Sequence, residues 1–521
     1  MQRPSISSTL TKERCNKLIN INYEIERLLQ YGVQKKLIDK LDITFTRNRI
    51  LEVLNLDDFT SVEVEKENLE YPVEILENIL NWASENDRLI ENTITYRDML
   101  DTEIMATLLG RPSEIIKAFN ETIETQGVEE ATKNYYDMSK NSNYIRTERI
   151  AKNMHWYSPT EYGDLEITIN LSKPEKDPRA IAAAKHLKAS SYPKCLLCKE
   201  NEGYAGRVNH PARQNHRVIP LTLTNEEWFL QYSPYVYYNE HSIIFLGEHN
   251  PMKISKITFK RLLEFVDKFP HYFIGSNADL PIVGGSILSH DHFQGGNHDF
   301  AMAKAPIEEN ITFKNYKNIT GGIVKWPMSV IRLQGKNREE LVELADEILE
   351  KWRSYSDESL EIYSMTDDEP HNTVTPIARR RGELFELDIV LRNNRTSEEH
   401  PLGIFHPHSD VHNIKKENIG LIEVMGLAVL PGRLKEELSL LGKALLTPNY
   451  ADEIKNNEDI EKHSEWAEKI IKNNPDLNKG NVDEIVKVEV GKVFSKVLED
   501  AGVYKRDEEG LEGFRRFLKL F

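Results

Sequence analysis

The period of the apolar pattern changes twice along this chain, and that change limits its folds more than any other feature. Before residue 150 the apolar residues recur at helical spacing. Ile75, Leu76, Ile79, Leu80 and Trp82 mark one face between Glu74 and Ala83, and 99–109 and 113–119 continue the pattern. At 165–171 the period drops to two: Leu165, Ile167, Ile169 and Leu171 alternate with polar residues, which predicts a strand. Further strands are predicted at 218–223, 242–246, 282–288, 322–333 and 384–391, with a helix over 338–352. From Asn413 onward helical spacing returns, ending with 493–498 and 511–517. A chain of 521 residues exceeds one ordinary core, so two to four units are expected, of mixed α+β class.

The histidines follow the strands. None precedes His155, and fifteen of the sixteen fall between His155 and His412, which puts the polar chemistry in the middle and leaves the first part as scaffold or interface. The densest stretch is Gly284-Gly285-Ser286-Ile287-Leu288-Ser289-His290-Asp291-His292-Phe293-Gln294-Gly295-Gly296. On a strand, His290, His292 and Gln294 would share one face, and the flanking glycines let backbone approach a ligand. A neutral imidazole is a nitrogen nucleophile near pH 7, and attack on phosphorus divides one displacement into two easier ones. Gln294 can donate to a phosphoryl oxygen without adding charge. His406-Pro407-His408-Ser409-Asp410 is a faint echo of the same row, which two diverged copies of one α+β unit would explain, as would chance.

Three cysteines are too few for a disulfide framework. Cys195 and Cys198 have the spacing of a zinc half-site or a redox pair; His249 and His290 are candidates to complete a closed set of four. Cys15, in a helical pattern, reads as a buried thiol. The net charge of −17 opposes broad nucleic-acid binding but not a phosphorylated ligand held by a few cations. With no apolar run of membrane-spanning length and no signal-peptide pattern at the N-terminus, a cytoplasmic protein is expected.

These residues together resemble the galactose 1-phosphate uridylyltransferases of the histidine-triad-like superfamily, closest to the class II branch with its long N-terminal region. The blocks at 144–147, 171–179, 277–285 and 415–423 carry the resemblance along nearly the whole chain. It implies two diverged, mainly antiparallel histidine-triad-like units: a helical region over 1–155, a catalytic half with the zinc site over 156–320, a second half over 321–445 and a helical region over 446–521. It also implies that His292 takes the uridylyl group, Gln294 contacts the phosphate, and Cys195, Cys198, His249 and His290 bind zinc. Asn277 resembles a phosphate-binding asparagine, Asn215 a uridine-side asparagine, and Lys173, Lys176 and Arg179 a basic phosphate loop. Glu423 resembles a sugar-hydroxyl acceptor, with a helix-surface carboxylate as the other reading. His371, His406 and His408 resemble a second, non-catalytic metal site, since Asp410 at the glutamine position would repel a phosphate. Asp291 departs from the other branch, which has proline there. The implied partners are UDP-glucose, UDP-galactose and hexose 1-phosphates, not nucleic acid or membrane; a homodimer is left open. Another nucleotidyltransferase or nucleotide sugar phosphorylase, and a zinc-stabilised binding module without turnover, are the alternatives.

Overall fold

The computed structural model describes residues 19–172, 190–285 and 287–521. Its strands are β1 (Met154–Thr160), β2 (Gly163–Asn170), β3 (Ile219–Leu223), β4 (Glu226–Tyr232), β5 (Ser242–Leu246), β6 (Phe273–Gly275), β7 (His292–Gly296) and β8 (Ile307–Ile311). They continue as β9 (Thr320–Val324), β10 (Val330–Gly335), β11 (Met365–Thr366), β12 (Glu369–Pro370), β13 (Asn372–Arg381), β14 (Leu384–Asn393) and β15 (Leu427–Pro431).

Ten of these strands form one antiparallel sheet in the order β3-β4-β5-β7-β6-β13-β14-β10-β9-β8. The order exposes a repeat. From each edge inward the chain uses its first, second, third, fifth and fourth strand, and the two fourth strands, β6 and β13, meet at the centre. A helix lies between the third and fourth strands of each half: Lys256–Lys268 and Arg338–Ser354. Ser255 caps the first, and the Asn337 side chain accepts from the backbone of Glu339 and Glu340 to start the second. Both helices bury one stripe against the same face of the sheet, Leu262, Phe265 and Val266 on one and Leu344, Ile348 and Trp352 on the other. Burying each such side chain contributes about 1.5–3 kcal/mol.

The flanking regions divide by the cores they join. Helices Ile21–Gln34, Ile43–Val53, Val73–Glu85 and Ile94–Ala106 surround a core of their own. Helices Pro112–Gln126 and Val128–Asn141 instead send Phe119 and Tyr135 into the core of the sheet. At the other end, helix Val482–Ala501 packs on a three-stranded sheet, β1-β2-β15, in which β15 runs parallel to β2. Among the described residues no helix is long and apolar enough to cross a membrane.

Two expected strands differ. The described residues of 282–288 form no strand: Pro281 precedes them, Ile282 has φ +72°, Gly284 makes an isolated bridge to Ala278, and the Leu288 carbonyl accepts from Met252. The run 322–333 is divided into β9 and β10, because Trp326 turns into the core and donates its indole N–H to the Val424 carbonyl at 3.0 Å.

Candidate active site

A cleft of about 660 Å³ opens on the face of the sheet away from the two helices, lined by His292, Gln294, His241, Asn277, Gly285 and Glu423 among others. Strand alternation sets its chemistry. Phe293 points to the helical side and stacks on Trp228 with centroids 4.9 Å apart, so His292 and Gln294, one residue to either side, face the cleft. The expected row of three on one strand is therefore a row of two. His290 lies in the bend before β7 and turns elsewhere.

It turns to the cysteines. His290 Nδ1 is 3.2 Å from Cys195 Sγ and 3.8 Å from Cys198 Sγ, and His249 Nδ1 is 3.2 Å from Cys198 Sγ. The four ligand atoms lie within 4.8 Å of one another. His290 Nε2–H donates to the Leu246 carbonyl at 2.8 Å, which fixes the tautomer and leaves Nδ1 unprotonated for a ligand bond. The donor set, spacing and tautomer fit a closed tetrahedral metal site. Leu197, between the two cysteines, packs with Val218, Phe229 and Phe245, so this loop is also tied to the sheet by apolar contact.

His292 is oriented by the residue that bridges the two groups. Its Nδ1–H donates to the backbone carbonyl of His290 at 2.8 Å, which leaves Nε2 as the unprotonated nitrogen. The side chain is buried at 6% exposure, and burial lowers its pKa to about 4, so the ring is neutral at pH 7. Asp291 points to the opposite face, where Arg261 Nη1 meets its carboxylate at 3.1 Å and the guanidinium lies over the Trp228 ring. Asp291 N–H donates to the Asn250 carbonyl and its own carbonyl accepts from Leu246. An ion pair on the helical side thus pins the segment that carries both histidines.

The far wall comes from the loop after β14. Asn277 Oδ1 accepts from Leu421 N–H at 2.9 Å, joining the two walls. A Cβ on Gly285 would stand 2.7 Å from Asn277 Nδ2, so only glycine lets the loop pass here. Glu423 sits on the short helix Leu421–Val424, one oxygen accepting from buried Lys415 at 3.1 Å. It lines the cleft and is not the surface carboxylate of the other reading. His406 Nε2 lies 3.2 Å from the side-chain amide of Asn418, another lining residue.

Other expected site residues are not gathered here. Asn215 is buried outside the lining set, its amide nitrogen donating to the Ser142 carbonyl at 2.9 Å. His371, His406 and His408 do not converge. His371 Nδ1 meets Asn394, His406 meets Asn418, and His408 Nε2 donates to the Ile404 carbonyl. Among the described residues the cysteine–histidine group is the one set of potential metal ligands so close together. Lys173, Lys176, Arg179 and Cys15 lie outside the described residues. The cleft residues given no role in the sequence analysis include His241, Tyr237 and Asn418. Only the first carried a signal, as a histidine directly before a predicted strand.

Fold and site define a pseudo-symmetric α+β protein that carries one histidine-bearing cleft beside a Cys₂His₂ cluster. Within that class the chain belongs to the galactose-1-phosphate uridylyltransferase family. Residues 36–251 match the family described as galactose-1-phosphate uridyl transferase, N-terminal domain, and residues 264–468 match its C-terminal domain. The galactose-1-phosphate uridylyltransferase of Halalkalibacterium halodurans is 64% identical over 96% of this chain and 98% of its own length. Those of Fusobacterium nucleatum and Bacillus subtilis are 57% and 56% identical, over 95% and 96% of this chain and 97% and 98% of their own. The solved yeast Ap4A phosphorylase Apa2 is a distant likeness, with a TM-score of 0.29 and 12% identity over 57% of this chain and 88% of that one.

Proposed function

We propose that the protein exchanges a uridylyl group between UDP-glucose and galactose 1-phosphate through a covalent adduct on His292 Nε2. The observation that carries the reading is the pair of hydrogen bonds that fixes the two imidazoles, with His292 Nδ1–H on the His290 carbonyl and Nε2 left as a lone pair in the cleft. The names of the relatives support galactose 1-phosphate as a substrate and a uridylyl group as what is transferred.

In the first half-reaction the Nε2 lone pair attacks the uridine-side phosphorus of UDP-glucose. A nitrogen–phosphorus bond forms, the bond to the bridging oxygen breaks, and its electron pair leaves on glucose 1-phosphate. In the second, a phosphate oxygen of galactose 1-phosphate attacks the same phosphorus and the electron pair returns to Nε2. Nδ1 keeps its proton throughout. The adduct bears positive charge on the ring, and the Nδ1–H bond to a carbonyl stabilises it. Gln294 would donate to a non-bridging oxygen and Asn277 Nδ2, without a partner among the described residues, to a phosphate; Lys173, Lys176 and Arg179 would supply the positive charge that the described walls lack. Glu423, held by Lys415, would accept sugar hydroxyls. With its amide nitrogen committed to Ser142, Asn215 would reach a uridine through Oδ1. Cys195, Cys198, His249 and His290 would hold zinc, whose closed coordination fixes the segment from which the His290 carbonyl projects. The reading places the enzyme in the cytoplasm, with nucleotide sugars and hexose phosphates as its partners.

Intact-mass measurement after mixing with UDP-glucose tests the adduct. Wild type should gain one uridylyl group and release it to galactose 1-phosphate, and His292→Gly should do neither. Exchange that proceeds in His292→Gly, or an adduct on another residue, would end this assignment.

A further inference from the structure

His241 takes no part in the chemistry above, yet it lines the same cleft and is 3% exposed. It precedes β5, with its ring beside those of Tyr237 and Tyr238 at 5.6 and 4.4 Å. Both of its nitrogens are engaged. Nδ1 lies 2.9 Å from the Tyr235 carbonyl, an acceptor only, so Nδ1 carries the proton. Nε2 lies 3.2 Å from the amide end of Gln294, the residue two positions past His292. Among the described residues no carboxylate pairs with the ring, and burial pushes its pKa down to about 4. Nε2 is therefore a lone pair, and a lone pair requires a donor. Gln294 Oε1 is the nearer amide atom, lone pair against lone pair; a half-turn of the amide, which changes no packing, brings the NH₂ there instead.

We propose that His241 is a positioning residue for group transfer: its Nε2 accepts one N–H of Gln294 and so aims the second N–H of that NH₂ at a non-bridging oxygen of the phosphoryl group taken up by His292. The proposal rests on the reading that Gln294 faces the transferring phosphoryl group. Without His241 the amide is a free rotor, and its oxygen competes with its nitrogen for the anionic ligand. With it, one orientation holds in the empty cleft, so the donor is in place before the charge develops.

The test is a double-mutant cycle on the full-length, metal-loaded protein, read as kcat, KM for UDP-glucose and the rate of adduct formation. His241→Phe should lower kcat about tenfold, the effect of one lost hydrogen bond, with KM little changed. Gln294→Ala should lower it about 100-fold or more, and adding His241→Phe should then cost nothing further. His241→Gln reaches the place of Nε2 and should restore most of the rate; His241→Asn keeps only the Tyr235 contact and should stay slow. This second pair carries the test should His241→Phe fail to fold. Losses that multiply in the double variant, equal rates for the Gln and Asn variants, or an unchanged His241→Phe would each overturn the proposal. A wild type that forms no adduct on His292 would bring down the catalytic reading and this proposal with it. An adduct in wild type combined with multiplying losses removes the role of His241 alone.

Discussion

Arg261→Met tests whether a charge on the helical side of the sheet holds the histidines on the other side. Arg261 and Asp291 are 9% and 11% exposed and meet at 3.1 Å. Unit charges at that distance attract by about 5 kcal/mol at an effective permittivity of 20. Methionine keeps the apolar stem against Trp228 and removes only the charge. Burial already raises the Asp291 pKa to about 6, so without the cation it stays charged only well above pH 7; there it is left buried and unpaired, a change that costs about 3–5 kcal/mol in comparable pairs. Glu226, the other partner of Arg261, is 47% exposed and returns to water at little cost. Denaturant unfolding of the metal-loaded protein measures the loss. The companion variant Arg261→Met/Asp291→Asn leaves no lone charge, so it should recover all but about 1–2 kcal/mol. Exchange activity should follow, since Asp291 shares its backbone with His290 and His292. Independent, additive effects of the two substitutions would refute the coupling, and full activity in Arg261→Met would show that the segment is held by its backbone bonds and metal alone.

Three further outcomes are expected. Cys198→Ser should lower bound zinc and the melting temperature together, since a closed site contributes folding energy; equal zinc content by elemental analysis would remove the assignment. Gln294→Glu should slow both adduct formation from UDP-glucose and its discharge by galactose 1-phosphate, by about 100- to 1,000-fold, because a donor becomes an anion beside the phosphorus. Slowing of the discharge alone would place Gln294 on the incoming sugar phosphate. His216 is 2% exposed, and burial, with Arg213 adding to it, lowers its pKa to about 3. Below the unfolded value of about 6.5 the unfolded chain takes up a proton that the folded one refuses, so this stability is complete above pH 6.5 and lost as pH falls towards 3. Between pH 6.5 and 5 the loss is about 2 kcal/mol. His216→Phe, which retains the stack on Tyr144, should flatten that slope in unfolding measurements; an equal slope would mean that the buried ring is not the group responsible.

What the sequence made legible was whatever depends on periodicity or on short spacing. The strand over 242–246 and the helix beginning at Arg338 emerge where the pattern puts them, because each presents one apolar face to a single core. Cys195 and Cys198 are three residues apart, and the chain brings them to histidines 51 and 92 residues away. The apolar run at 282–288 misled because some of its described residues, Ile287 among them, line the cleft instead of joining a ladder; Pro281 and the paired glycines were the opposing signals. His241 was illegible for a different reason. Its meaning lies in two acceptor-or-donor contacts, one of them 53 residues away, and a lone histidine beside a strand has no period to announce them. The same holds for His406, which lies outside the cleft lining and meets it through Asn418.

The repeat also bears on why this cleft lies in the first half. In the second half the face equivalent to that of His292 is not open: Arg332 meets Asp388 at 2.7 Å, and Arg379 bonds both Glu386 and Asp388. These residues are at most 6% exposed at the side chain. The Arg332 guanidinium also donates to the carbonyls of Met302 and Ala305, on the segment that follows β7. Every charge in the set has a counter-charge, so the network tolerates burial and leaves no unmet valence for a ligand. The first half has the opposite character on its matching face: among the described residues, a neutral imidazole whose Nε2 has no partner, an asparagine nitrogen that likewise has none, and glycines where side chains would fill the space. One copy of the unit met its polar groups internally and became a platform for the C-terminal helices. The other left them unmet, and unmet polar groups in a walled cleft are what a charged substrate can satisfy.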